Sequence, residues 1–218
     1  GDSAGNNFLG EENTIPVNVD ELIPLTRAVV RGSKRALVVA DLPFGSYESS
    51  PEQALATSTR FFKEAGAMAV KLEDAHLATV EKLTSAGIPV MGHLGLTPQS
   101  LHQLGGYRVQ GRTDGDAIVE AAIALEKAGA FAIVLELVPA DLASRISKAL
   151  TVPTIGIGAG TDCDAQVLVW TDMAGLTANP PKLAKAYRNL RQELMGAAQE
   201  FAEEVRSGKF PTESQTFH

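Results

Sequence analysis

Four short apolar runs, each ending in a side chain with chemistry to offer, constrain this chain more than any other feature in it. Ala36–Asp41 ends in an acid, Ala67–Asp74 in Lys-Leu-Glu-Asp, Ile88–His93 in a histidine and Phe131–Glu136 in an acid. Nearly continuous apolar character over so short a run is how a strand reads when both its faces are covered, as in a parallel sheet. Helical segments alternate with these runs, so the chain is expected to be an α/β protein.

The run Ala67–Asp74 is the most demanding. Side chains alternate faces along a strand, so Lys71 and Glu73 point one way while Val70 and Leu72 point the other. Two opposite charges facing one interior are costly unless they hold a metal, a substrate or each other. A structural ion pair near a strand end satisfies that requirement as well as a functional site does.

In chain order, a helix is expected from about Val19 to Val30, capped by Asn18 and carrying Pro24 as an awkward interior residue. Leu42-Pro43-Phe44-Gly45 turns the chain after the first run. Ser50-Pro51-Glu52 opens the next helix, which Gly66 ends. Leu77–Ala86 is helical and Gly87 stops it. Asp116–Ala128 has the apolar period of an amphipathic helix, and Ala140–Leu150 leads into Val152–Gly160. Gln166–Trp170 is ambiguous between strand and helix, and Lys182–Arg206 reads as one long helix or two.

Functional side chains at several strand ends select the architecture. A doubly wound sheet would carry its glycine-rich loop after the first strand, whereas Gly156-Ile157-Gly158-Ala159-Gly160 follows the last clear one. A (β/α)8 TIM-type barrel gathers its chemistry at the C-terminal ends of its strands, where Asp41, Glu73, His93 and Glu136 fall. One barrel domain over 1–218, with a C-terminal helical tail from about 182, is therefore expected. At 218 residues and 44% hydrophobic the chain can bury such a core undivided.

Composition narrows the partners. A net charge of −7 and a pI near 5.1 oppose nucleic-acid binding. The single cysteine, Cys163, excludes an internal disulfide framework and reads as a packing residue. No apolar stretch approaches the ~20 residues of a membrane span, and no signal peptide is recognised. A cytoplasmic location is the expectation.

Each candidate has a plain structural alternative. Asp41 can cap the Leu-Pro turn, and the commoner fate of a lone histidine such as His93 is a satisfied place in the core. Glu136 sits amid Val, Leu and Pro, where an ionised carboxylate is expensive, which points to a role. The glycine run suits a phosphate loop or a tight turn packed on a neighbour. Acids at successive strand ends, with no cysteine or histidine cluster, favour Mg2+ over zinc.

A specific resemblance rests on Gly1-Asp2-Ser3, Ala40-Asp41-Leu42-Pro43-Phe44, Val70-Lys71-Leu72-Glu73, Gly92-His93-Leu94-Gly95-Leu96-Thr97-Pro98-Gln99-Ser100 and Gly105-Gly106-Tyr107-Arg108-Val109-Gln110-Gly111-Arg112. It continues through Leu135-Glu136-Leu137-Val138-Pro139, Ile155–Gly160 and Phe210-Pro211. In these pieces, and in their order, the chain resembles the ketopantoate hydroxymethyltransferase family. The resemblance implies transfer of a hydroxymethyl group from 5,10-methylenetetrahydrofolate to 3-methyl-2-oxobutanoate, giving 2-dehydropantoate for pantothenate synthesis. It implies Asp2 and Asp41 as Mg2+ ligands, Glu73 joining the metal shell directly or through water, and Ser3, Asp41, Lys71 and His93 around the keto acid. Glu136 matches the base. The implied fold is the phosphoenolpyruvate/pyruvate-like (β/α)8 barrel, and the implied assembly is a homodecamer.

Three departures from the family pattern stand out. The family has two strands and a helix before its Gly-Asp-Ser, so the first strands are expected to be missing from this chain. Its Lys-x-Glu-Gly-Gly reads Lys71-Leu72-Glu73-Asp74-Ala75 here, which adds an acid beside the expected metal. Ala165 stands where a glycine is usual. Two rival functions are a C–C lyase or mutase of the isocitrate lyase/phosphoenolpyruvate mutase group and a non-catalytic truncated barrel subunit. The first shares the Lys-Leu-Glu-Asp motif, but its cysteine-bearing loop has no match here.

Overall fold

The computed structural model describes residues 1–218, which divide into two compact units, Gly1–Val167 and Leu168–His218. The first unit carries one parallel sheet of six strands: β1 (Val39–Asp41), β2 (Ala69–Lys71), β3 (Val90–Gly95), β4 (Ala132–Glu136), β5 (Thr154–Ile157) and β6 (Ala165–Gln166). Their spatial order follows the chain, and every neighbouring pair is parallel. The architecture is therefore α/β, with a six-stranded parallel sheet and no complete eight-stranded barrel, in keeping with first strands expected to be missing from this chain.

The helices form where their signals lie. α1 (Val19–Gly32) starts at a reciprocal capping box: Asn18 Oδ1 accepts from the Asp20 and Glu21 amides, and Glu21 Oε2 accepts from the Asn18 amide at 2.9 Å. Pro24 lies in its second turn, where only one intrahelical bond is lost, and the helix continues through it. α2 (Pro51–Arg60) is capped by Ser50 Oγ, which accepts from the Gln53 amide at 3.1 Å, and a wide turn over Phe61–Ala65 carries the chain to Gly66. α3 (Leu77–Ser85) precedes β3. A short α4 (Leu101–Leu104) and the longer α5 (Gly115–Lys127) follow it, and α6 (Ala140–Ala149) lies between β4 and β5.

One face of the sheet is the core beneath the helices. Val70, Leu72, Leu83, Val90, Leu125, Ile133, Leu135 and Ile146 are all fully buried. Burying each such side chain contributes about 1.5–3 kcal/mol. Gly92 makes room for this packing, since a Cβ there would lie 3.0 Å from Leu125 Cδ1. β1 and β2 are shorter than the apolar runs that announce them, with Leu37 and Met68 exposed at their entry ends.

In the second unit α7 (Trp170–Ala174) and α8 (Leu190–Ser207) are joined by an irregular segment. The expected helix from Lys182 starts eight residues later than the sequence suggests. The segment before it turns back instead: the Tyr187 amide donates to the Met173 carbonyl at 2.8 Å and the Arg191 amide to that of Gly175 at 3.1 Å. Gln166–Trp170 resolves into the end of β6 and the start of α7.

Candidate active site

Register brings the candidate side chains to one face. Asp41 pairs with Lys71 across β1 and β2, so both project the same way, and Glu73 follows two residues beyond Lys71, just past the end of β2. Lys71 aligns with Met91, which puts Glu73 level with His93, and the Asp74 amide donates to the His93 carbonyl. Gly95, two residues after His93, pairs with Glu136. Alternation then sends Asp41, Lys71, Glu73, His93 and Glu136 to the face opposite Val70, Leu72 and Leu135.

The resulting cluster is buried and dominated by negative charge. Lys71 Nζ lies 2.6 Å from Asp41 Oδ1, 4.0 Å from Glu73 Oε1 and 3.2 Å from His93 Nδ1. Asp2 joins from the first residues of the chain, its amide donating to Asp41 Oδ2 at 3.3 Å. Ser3 follows it, half-buried. Burial, with Asp41 and Glu73 nearby and Lys71 opposing, pushes the Asp2 carboxyl up to about 8. Burial would also raise Asp41, but the Lys71 ammonium overrides it and holds that carboxyl below its usual value. Burial likewise opposes the charge on Lys71, yet Asp41, Glu73 and Asp2 raise its pKa and keep it cationic.

His93 bridges the two halves of the site. Its Nε2 is buried and lies 3.2 Å from Glu136 Oε2, while Glu73 Oε1 is 3.6 Å from Nδ1. Burial and the Lys71 charge oppose protonation, but the Glu136 and Glu73 carboxylates outweigh them and raise its pKa. In its neutral form the ring accepts at Nδ1 from Lys71 and carries its hydrogen on Nε2, toward Glu136.

Backbone geometry fixes Glu136. The Leu96 amide donates to its carbonyl at 2.8 Å, and Gly95, at φ +96°, permits the approach because a Cβ would overlap that oxygen. Leu137 then turns the chain away at φ +47°, a left-handed conformation uncommon for leucine. The glycine run after β5 packs as a turn: a Cβ on Gly160 would lie 2.6 Å from that of Ala140. Cys163 is buried, which pushes its thiol up.

Two residues not expected from sequence complete the cluster. Tyr47 and Gln99 are buried between the carboxylates, and Gln99 touches both Asp2 and Glu73. Gln99 stands inside the His-Leu-Gly-Leu-Thr-Pro-Gln-Ser run, which was its only signal; Tyr47, on an irregular loop, had none.

No three Asp, Glu, His or Cys side chains are arranged to hold an ion among themselves. The donor chemistry nonetheless fits Mg2+, which takes one or two carboxylates and completes its shell with substrate oxygens and water. Asp2 and Asp41 are such a pair, with Asp41 Oδ1 already charge-compensated by Lys71 Nζ at 2.6 Å. Glu73 is already engaged by the Gln99 amide at 2.9 Å.

The fold and site together define a class, α/β proteins with a carboxylate-rich cluster at the carboxyl ends of parallel strands. Solved structures of the same fold include a 2,3-dimethylmalate lyase of the PEP mutase/isocitrate lyase superfamily, with TM-score 0.54 and 13% identity over 99% of this chain and 76% of the other. A phosphoenolpyruvate phosphomutase from Streptomyces platensis aligns with TM-score 0.55 and 16% identity over 92% of this chain and 72% of the other. The sequence profile described as ketopantoate hydroxymethyltransferase matches residues 1–213. The 3-methyl-2-oxobutanoate hydroxymethyltransferases of Frankia alni and Saccharopolyspora erythraea are each 61% identical over all of this chain, covering 73% and 75% of their own lengths. The chain belongs to the ketopantoate hydroxymethyltransferase family.

Proposed function

We propose that the chain transfers a hydroxymethyl group from 5,10-methylenetetrahydrofolate to 3-methyl-2-oxobutanoate, yielding 2-dehydropantoate. The observation that carries this reading is similarity over the whole of this chain to relatives of that name, about 60% identical, with Asp2, Asp41, Lys71, Glu73, His93 and Glu136 gathered in one carboxylate-rich cluster. The lyase and mutase alternative rests on structures below 20% identity, a likeness of fold alone. The six-stranded wall is taken as part of a (β/α)8 barrel, working in the cytoplasm as a homo-oligomer, a decamer by resemblance.

Asp2 and Asp41 would hold Mg2+, with Glu73, whose Oε2 is tied to Gln99, joining the shell directly or through water. When bound, the ion supplies an electrophile for the 2-oxo and carboxylate oxygens of the keto acid. Ser3, Asp41, Lys71 and His93 orient that acid, and Lys71 offers positive charge to the oxyanion that develops. Glu136 takes the C3 proton, with His93 Nε2–H at 3.2 Å directed at its carboxylate to orient it. The one-carbon unit then exchanges its two bonds to folate nitrogens for one bond to C3 and one to the oxygen of water; the nitrogens take up the C3 proton and one proton of that water, and tetrahydrofolate leaves.

Exchange of the C3 proton in D2O isolates the base from bond formation. Glu136→Gln keeps size while removing the basic oxygen, so exchange and turnover should fall together by roughly 10²- to 10⁴-fold. Wild-type exchange in a folded, substrate-saturated Glu136→Gln protein would end this assignment.

A further inference from the structure

Gln99 spends its hydrogen-bonding groups on the functional carboxylates and the segments that carry them. It lies in a single turn, Pro98–Ser100, after β3, and is 5% exposed. Its backbone amide donates to Glu73 Oε2 at 2.9 Å. Its side-chain Nε2 donates to Asp2 Oδ2 at 2.8 Å and to the Leu42 carbonyl at 2.9 Å, one residue after Asp41. Because the Leu42 carbonyl can only accept, the amide orientation is settled, and Oε1 must be the acceptor for Tyr47 Oη at 2.6 Å. Tyr47 Oη in turn accepts from the Glu73 amide at 3.2 Å. The circuit is closed: Gln99, Tyr47 and Glu73 lock one another, and Asp2 and the end of β1 hang from the same amide.

From this geometry we propose that Gln99 is a positioning residue for the cation site, and that Tyr47 fixes it in place. The proposal rests on the reading of Asp2 and Asp41 as Mg2+ ligands. Gln99 pins the outer oxygen of each of two carboxylates, Asp2 Oδ2 and Glu73 Oε2. That leaves Glu73 Oε1 toward Lys71 and His93, and holds Asp2 beside the end of β1 and Asp41. The Glu73 bond comes from the backbone amide, so the side chain's own share is Asp2 Oδ2, the Leu42 carbonyl and the Tyr47 hydroxyl. Leucine would fill the space but abandon two acceptors and the Tyr47 hydroxyl, and glutamate would set a further carboxylate against Asp2 and a carbonyl oxygen. Partners that orient metal ligands in this way typically contribute about 10- to 100-fold in metal affinity.

Mn2+ serves as a spectroscopic stand-in for Mg2+, and its affinity for the full chain without substrate is the direct readout, measured by electron paramagnetic resonance. Gln99→Leu should weaken Mn2+ binding by roughly 10- to 100-fold, and Tyr47→Phe should weaken it in the same direction by less, with the Mg2+ concentration for half-maximal turnover rising in step. Thermal melting of each variant separates positioning from stability. A merely structural role would lower the melting temperature and leave the Mn2+ affinity of the folded protein unchanged. Should Gln99→Leu not fold, Tyr47→Phe decides, since it keeps the buried ring and removes only the hydroxyl. Wild-type Mn2+ affinity in the folded variants overturns the positioning role alone. A wild-type protein that binds no Mn2+ overturns the cation reading and this proposal with it.

Discussion

Asp74 shows how a departure from a family pattern can be absorbed by one residue. It stands where the family has glycine and keeps a left-handed backbone at φ +65°, one of two non-glycine residues with positive φ. Its side chain is exposed and its Oδ1 accepts from the Ala75 amide at 2.8 Å, a local bond that aspartate can make in this conformation. The added carboxylate therefore turns toward its own backbone and solvent, while Glu73 beside it is 2% exposed and faces the cluster. Asp74→Gly should leave turnover within about twofold and stability within ~1 kcal/mol, the usual range for an exposed site. Glu73→Gln should cost far more. Parallel turnover and melting measurements decide, and a loss in Asp74→Gly equal to that in Glu73→Gln would show that the acid has taken on a role of its own. The acids of the site were legible in sequence because strand alternation assigns a face without knowledge of the fold. Gln99 and Tyr47 were not, because their partners lie 97 and 52 positions apart in the chain and only the folded chain brings them together.

Among the elements, boundaries were the part that sequence gave up least readily. Caps and glycines marked the starts and stops of α1, α3 and α5 to within about two residues, and the start of α2, whose regular turns give way to the wide turn at Phe61 before Gly66. The long C-terminal helix began late because backbone bonds from Tyr187 and Arg191 into the end of α7 compete with helix, a tertiary effect no local pattern carries. A second tertiary anchor, on α5, was equally invisible. Glu126 Oε1 accepts from the Thr151 amide at 2.6 Å, the Thr151 hydroxyl at 2.7 Å and the Val152 amide at 3.0 Å, clamping the turn between α6 and β5. These bonds hold its carboxyl below the usual range, the Thr151 hydroxyl most strongly. Since the folded pKa is the lower one, the stabilisation is complete above the unfolded value and is lost as pH falls through the folded one. Glu126→Ala should lower stability by about 1 kcal/mol near neutral pH, a modest figure because the group is solvent-screened. Denaturant titrations of both proteins should converge in acid; a gap that persists unchanged at pH 3 would exclude the charge as its source.

At the scale of the whole molecule, the expected assembly has a surface on which it can be tested. α8 spans eighteen residues and buries none of them, although Leu190, Leu194, Phe201 and Val205 recur at the spacing of a single helical stripe. Leu194 is 63% and Phe201 54% exposed, and Phe210 folds back edge-on against Phe201 with ring centres 5.4 Å apart. An apolar stripe of this length on a chain of net charge −7 is the kind of surface that a second copy of the same chain would cover, its own stripe being the matching one. Homo-oligomerisation through α8 predicts that Leu194→Glu with Phe201→Glu lowers the mass measured by light scattering. Far-UV circular dichroism should stay unchanged, because both side chains are exposed in the single chain. Turnover per chain then locates the chemistry: a smaller species with full activity means that each site is complete within one copy, and lost activity means that assembly supports it. A variant with the parent mass would assign the interface to another face and leave the α8 stripe without a role in self-association.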